Sequence, residues 1–160
     1  YKVVANVPYY ITGAILRHLL SAQHKPTSLV MTVQKEVAER ITAVPPKMSL
    51  LAISTQLYGQ AEIITTIKAG AFWPRPDVDS AVLRLALYPE PLLPFAQEKK
   101  FFALVRAGFS QKRKQLKNNL QQLGYNPAQI QELLAAVNID GRRRAETLTL
   151  SEWLDLHNNL

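Results

Sequence analysis

A chain of 160 residues suffices for one ordinary domain or two small ones, and its 48% hydrophobic content supports a packed core and argues against wholesale disorder. Nineteen Lys and Arg against twelve Asp and Glu leave a formal charge of +7 and a pI near 9.8, which favours a polyanionic partner, nucleic acid first. The lack of cysteine excludes a disulfide framework, thiolate metal sites and a cysteine nucleophile. His18, His24 and His157 have no metal-ligand spacing, no apolar run approaches a membrane span, and no secretory signal opens the chain, so a soluble cytoplasmic protein without a metal is expected.

Lys2-Val3-Val4-Ala5 reads as a short strand that ends in Asn6-Val7-Pro8-Tyr9-Tyr10, where Pro8 forbids further pairing. Thr12 is placed to cap a helix whose apolar face is Ala14, Ile15, Leu19 and Leu20. A buried strand follows at Leu29–Val33, then a charged helix from Lys35 to Ile41 that Val44-Pro45-Pro46 closes, and a second helix from Ser49 to about Tyr58. Ala61–Ile67 and Ala81–Tyr88 read as strands on either side of a Pro-rich loop, Gly70-Ala71-Phe72-Trp73-Pro74-Arg75-Pro76-Asp77.

Three prolines within Pro89–Pro94 mark the domain boundary, so residues 1–90 are expected to form an α/β part and residues 91–160 a small helical domain. Phe101, Phe102, Leu104 and Val105 begin one helix, and Leu116, Leu120 and Leu123 line another. Were the two continuous, Lys112 would enter the apolar face, which places a break near Gly108-Phe109-Ser110. Asn126 with Gln129, and Thr149 with Glu152, have the spacing of capping boxes, the first with Pro127 in its first turn. Nothing suggests a coiled coil, and a monomer is the expectation.

The Asn-Val-Pro-Tyr turn lies at the carboxyl end of a strand, where open α/β sheets bind ligands. It suits the methylation of an exocyclic amine, a poor nucleophile because its lone pair is delocalised into the base. The Asn6 side-chain oxygen and the Val7 carbonyl are two acceptors able to take the amine's hydrogens and hold the lone pair toward a methyl donor. Pro8 stiffens the turn, and Tyr9 offers a ring on which an extruded base stacks. Taken alone, four such residues also describe an ordinary strand-ending turn.

The wider sequence resembles the ribosomal RNA adenine dimethyltransferases. The likeness runs through Asn6–Thr12, Gln34–Arg40, Ala71–Val82, Phe101–Lys114 and Arg144–Leu148, in the family's order and over nearly the whole chain. It implies the C-terminal part of a Rossmann-like, S-adenosylmethionine-dependent methyltransferase domain followed by a small all-helical domain. It further implies dimethylation of two adjacent adenosines near the 3′ end of small-subunit rRNA, as free RNA or within a partly assembled subunit.

By that resemblance Asn6 and the Val7 carbonyl orient the amine, Pro8 holds the turn, Tyr9 stacks on the adenine and Phe72 covers its other face or edge. Asn6 also reaches the donor, while Trp73 is left to packing. No general base is required, because the amine can lose its proton after the methyl has moved. The basic residues form the RNA surface: Arg106, Lys112, Arg113, Lys114 and Lys117, then Arg142, Arg143 and Arg144 after the Asp140-Gly141 turn, with Arg75 beside Phe72 on a neighbouring phosphate. On one unbroken helix Arg106, Arg113 and Lys117 would share a narrow arc; for Arg144 a structural role against the last helix is equally open.

The sequence departs from the family where the donor site is expected, upstream of the turn: the six glycines form no Gly-x-Gly pattern. The chain therefore reads as the latter part of such an enzyme, and little unassisted methyl transfer is expected from it. Two alternatives stand beside this reading: a non-catalytic RNA-binding or ribosome assembly module of the same fold, and a large-subunit rRNA adenine methylase sharing the same turn.

Overall fold

The computed structural model describes residues 1–160. The chain opens with β1 (Lys2–Asn6), in which Val3 and Ala5 are half-covered while Lys2, Val4 and Asn6 face solvent. A single 3-10 turn, Tyr9–Ile11, then feeds α1 (Thr12–Leu20), whose Leu16 and Leu20 are buried. Thr12 does not cap this helix as its sequence position suggests. The turn already supplies acceptors at the helix start: Ile11 N–H donates to the Pro8 carbonyl and Thr12 N–H to that of Tyr9, and the Thr12 side chain is buried instead.

β2 (Ser28–Gln34) buries Leu29, Met31 and Val33 and runs into α2 (Lys35–Ile41); α3 (Leu50–Gln56) precedes β3 (Gly59–Ile67) and β4 (Ser80–Leu87). The four strands form one sheet in the order β1-β2-β4-β3. β1 and β2 are parallel, with Asn6 opposite Thr32 on the last rung, and α1 lies in the crossover that parallel strands require. β4 is antiparallel to both neighbours, which sets Ser80 in one row between Gln34 of β2 and Ile67 of β3. A bulge at Ile64 shifts the β3 register. The result is the mixed α/β architecture that the sequence implies, with strand boundaries within two residues of those read from it.

The chain divides into two compact units: residues 1–42 with 55–92, and residues 43–54 with 93–160. The second includes a short piece of the α/β half that composition does not reveal; Met48 N–H there donates to the Glu146 carbonyl at 3.0 Å. Besides the first part of α3, its helices are α4 (Phe95–Gly108), α5 (Leu116–Leu120), α6 (Pro127–Ala136) and α7 (Leu150–Asn158). Phe101, Leu104, Leu116, Leu120, Ile130, Leu134, Leu148, Trp153 and Leu156 make its core. Both capping boxes are formed, Asn126 with Gln129 and Thr149 with Glu152. Helix α4 ends at Gly108, and residues 109–115 turn before α5 begins.

Candidate functional site

Asn6 is the last rung of the β1–β2 ladder and lies on the exposed face of β1 with Lys2 and Val4, and the Val7 carbonyl lies beyond that rung. Pro8, at φ −57° and ψ 138°, turns the chain into the 3-10 segment that carries Tyr9. The Tyr9 hydroxyl is 2.5 Å from the Ser80 Oγ, and Ser80 is fully buried at the start of β4. This bond fixes the half-covered Tyr9 ring against the sheet, while its neighbour Tyr10 stands 88% exposed.

The Pro-rich loop is anchored immediately before Ser80. Asp79 Oδ1 accepts the Ala69 N–H at 2.9 Å, Oδ2 accepts the Lys68 ammonium at 3.0 Å, and the Asp79 carbonyl accepts the Lys35 N–H at 2.9 Å. The Ala69 N–H, then Lys68, hold the Asp79 carboxyl below its ordinary range, so the anchor is ionised at neutral pH. Phe72 follows the 3-10 turn Ala69–Ala71 in extended conformation and is half-buried, and Arg75 is exposed. Trp73, assigned to packing on sequence grounds, is 96% exposed and packs on nothing, whereas its neighbour Phe72 is half-buried. Asn6, Val7, Pro8 and Tyr9 therefore share one turn, which the Ser80 hydroxyl ties to the strand that the Phe72–Arg75 loop feeds.

The basic residues of the second unit fall into two groups. Arg106 is exposed on the last turns of α4, while Lys112, Arg113 and Lys114 project from the turn after it. Because α4 ends at Gly108, the single helical arc of Arg106, Arg113 and Lys117 does not exist. Buried Asn119 holds the turn in its place: its amide donates to the Gly108 carbonyl at 2.6 Å and to the Gln111 carbonyl at 3.1 Å. Lys117 is half-buried on α5.

The Arg142–Arg144 run behaves as three different residues. Arg142 is exposed and paired with Asp140 at 2.9 Å, which lowers the Asp140 pKa to about 2. Arg143 turns inward: it donates to both Glu152 carboxylate oxygens and to the Thr147 hydroxyl and carbonyl, bracing the start of α7. Arg144 is exposed and carries no ion pair. The structural role considered for Arg144 thus falls to Arg143, whose polar atoms are already engaged.

Sequence reading missed Ser80 and Asn119. Ser80 is the first residue of a strand and its partner is 71 residues away, so no local signal marks it. Asn119 lies between Leu116 and Leu120, a polar residue on a core-facing stretch, which is the one hint of its burial.

A family model described as "Ribosomal RNA adenine dimethylase" matches residues 1–160. The chain is 46% identical over 157 residues to a ribosomal RNA small subunit methyltransferase A of Dehalococcoides mccartyi, covering 98% of this chain and 54% of that protein. It is 41% identical over 162 residues to the protein of that name from Moorella thermoacetica, covering 100% and 56%. The chain thus spans about half the length of the curated relatives it matches. Among solved structures it resembles the 23S rRNA methyltransferase ErmE, with TM-score 0.78 and 26% identity over 100% of this chain and 65% of that one. A dimethyladenosine transferase from Plasmodium falciparum shares the fold, with TM-score 0.83 and 23% identity over 98% and 65%.

Proposed function

Since the chain belongs to the ribosomal RNA adenine dimethylase family, we propose that it forms the base-presenting and RNA-holding part of an rRNA adenine dimethyltransferase. Its target is the pair of adjacent adenosines near the 3′ end of small-subunit rRNA, in RNA or in a partly assembled subunit in the cytoplasm. Residues 1–90 present the base and residues 91–160 hold the RNA. One observation carries this reading: the ladder ends at Asn6, leaving its side chain and the Val7 carbonyl as two acceptors beside a Tyr9 ring fixed by Ser80.

An adenine amine offers two N–H donors. Accepting both, the Asn6 oxygen and the Val7 carbonyl aim the nitrogen lone pair out of the base plane and restore its nucleophilicity. Tyr9, held through its hydroxyl, presents its ring to the adenine face, and Phe72 covers the other face or edge. The amine proton leaves to solvent after transfer, so none of these residues acts as a base. Arg106, Lys112, Arg113, Lys114, Lys117 and Arg144 contact phosphates, with Arg142 contributing at the cost of its pair with Asp140, and Arg75 serves the phosphate beside the target.

S-adenosylmethionine, when bound, supplies an electrophilic methyl on a sulfonium whose departure leaves a neutral thioether. Of the residues in this chain, Asn6 fits a contact to it, because its side chain is exposed at the strand end. No Gly-x-Gly turn occurs in the 160 residues to receive the nucleoside.

Asn6→Ala in a protein of the relatives' full length tests this division. Methyl transfer to small-subunit rRNA is expected to fall at least a hundredfold, with RNA affinity retained; equal loss of both would overturn it. The likeness to ErmE favours a second reading, action on large-subunit rRNA. Mapping the methylated adenosines decides between the two, and the names of the 41–46% identical relatives support the small subunit.

A further inference from the structure

Trp73 is the most exposed large apolar side chain of the molecule, at 96%, yet it stands on a loop anchored at Asp79 and followed directly by the Ser80 that fixes Tyr9. A fully solvated indole gains nothing for folding. Pro74 and Pro76 limit the backbone freedom around it, so little entropy is lost when something stacks on the ring. Phe72 precedes it and is half-buried where Trp73 is solvated, so the two neighbouring rings meet different surroundings. If Phe72 serves the target adenine, the solvated Trp73 beside it is left free for a second group. The nearest charges in sequence are Arg75 and Asp77, which cancel, whereas the chain as a whole carries +7, so the local attraction is stacking and the wider field attracts a polyanion.

We infer that Trp73 is a stacking platform for a nucleotide flanking the target adenosine, so that the loop reads two neighbouring bases with its two adjacent rings. This rests on the RNA-modifying reading above and adds to it a residue that sets substrate position. Base–aromatic stacking of this kind tolerates any base and is worth about tenfold or more in affinity by alanine substitution. It would register the chain along the RNA without demanding a particular sequence.

The chain has two tryptophans, and Trp153 is fully buried. The difference in emission between wild type and Trp73→Phe therefore isolates Trp73. The probe is an RNA hairpin with two adjacent adenosines in its loop, alongside the same hairpin bearing an abasic ribose at each flanking loop position. Binding of the intact hairpin is expected to quench Trp73, and an abasic flank to restore its emission. Trp73→Ala should weaken binding about tenfold and Trp73→Phe much less, with both variants melting at the wild-type temperature. Quenching that persists with both abasic hairpins, or an RNA complex with unchanged Trp73 emission and unchanged affinity of Trp73→Ala, would overturn the inference. So would protection of Trp73 from acrylamide before RNA is added, or a lowered melting temperature for Trp73→Ala, since either means that the ring packs on protein. Failure of the wild type to bind any hairpin would overturn the RNA-modifying reading itself, and this inference with it.

Discussion

The Tyr9 and Ser80 hydroxyls lie 2.5 Å apart across 71 residues of chain, joining the turn after β1 to the first residue of β4. Ser80 is fully buried in a row between Gln34 and Ile67, so it has no freedom to follow Tyr9; the ring must come to it. Removing either hydroxyl leaves the ring in place and lets it rotate. On the reading proposed above, Tyr9→Phe and Ser80→Ala in a protein of the relatives' full length are each expected to lower the kcat of methyl transfer about tenfold, the scale of one part-buried hydrogen bond, with little change in KM. The double variant should be no worse than either single one. Additive losses in a double-mutant cycle would show that the two hydroxyls act separately.

Gly108 closes α4 beneath the Trp153 ring, and a Cβ there would stand 2.3 Å from the indole. Phe109 stacks on the same ring at 5.6 Å, so the ring has little room to retreat. Gly108→Ala, at the last residue of α4, gains less than the roughly 1 kcal/mol of helix propensity that an interior position gives and loses about 1–3 kcal/mol to overpacking. A net fall in thermal stability is expected, partly relieved in a Gly108→Ala/Trp153→Phe double variant, whose smaller ring vacates the space. Thermal melts of the three variants check it; a more stable Gly108→Ala would mean that the core yields.

These two contacts show what the sequence could and could not disclose. The capping boxes at Asn126 and Thr149 were legible because both partners lie within one helical turn and the rule is local. The end of α4 at Gly108 was legible because Lys112 cannot sit in an apolar face. The Asn6–Tyr9 segment was legible as the turn that ends β1, but its bond to Ser80 depends on β4 entering the sheet between β2 and β3, which no local pattern encodes. Arg142, Arg143 and Arg144 look alike in sequence. Only the turn at Asp140-Gly141 and the position of Glu152 decide which one points inward. Trp73 was misassigned for a related reason: large aromatic residues are usually buried, and nothing local in the Pro-rich loop shows which of the neighbours Phe72 and Trp73 is covered.

The Arg143–Glu152 pair makes the helical unit sensitive to acid. Chiefly through its hydrogen bonds to Arg143, the Glu152 carboxyl is held below the ordinary 4.5, while it also accepts the Thr149 N–H at 2.8 Å. A depressed carboxylate contributes stability that is full above its unfolded pKa and is lost as pH falls through the folded one. Glu152→Gln is therefore expected to melt below the wild type at pH 7, by an amount on the order of 1–3 kcal/mol. The gap should close as pH drops below about 4.5. A gap that stays constant down to pH 2 would refute the assignment.

His157 sets a second pH window. Its Nε2 is 3.1 Å from the Gln97 Oε1, its Nδ1 is buried without a partner, and the Phe101 ring meets it edge-on at 5.7 Å. Burial, aided by Lys100, holds its pKa below the ordinary 6.5. The unfolded chain then takes up the proton first, so stability should begin to fall as pH drops through 6.5 and level off only below the folded value. His157→Gln, which does not titrate, should remove this slope from melting temperatures measured between pH 7 and pH 5. Persistence of the slope would place its origin elsewhere.

The exposed and the inward-facing arginines should separate in a salt titration of RNA binding. Arg113 and Lys114 project from the turn held by Asn119 and are free of ion pairs, so a phosphate meets them without breaking an internal bond. Arg143 would have to abandon Glu152 and Thr147 to do the same. Each phosphate contact releases counterions and adds roughly 0.7–0.9 to the magnitude of the slope of log affinity against log salt. Neutralising Arg113 and Lys114 to Gln should thus reduce the slope by about 1.5 with the fold intact. Arg143→Gln should leave the slope unchanged and lower the melting temperature. Asn119→Ala is expected to weaken RNA binding without removing a charge, because the turn loses the amide that fixes it; an unchanged affinity in that variant would show that the turn finds its place on the RNA unaided.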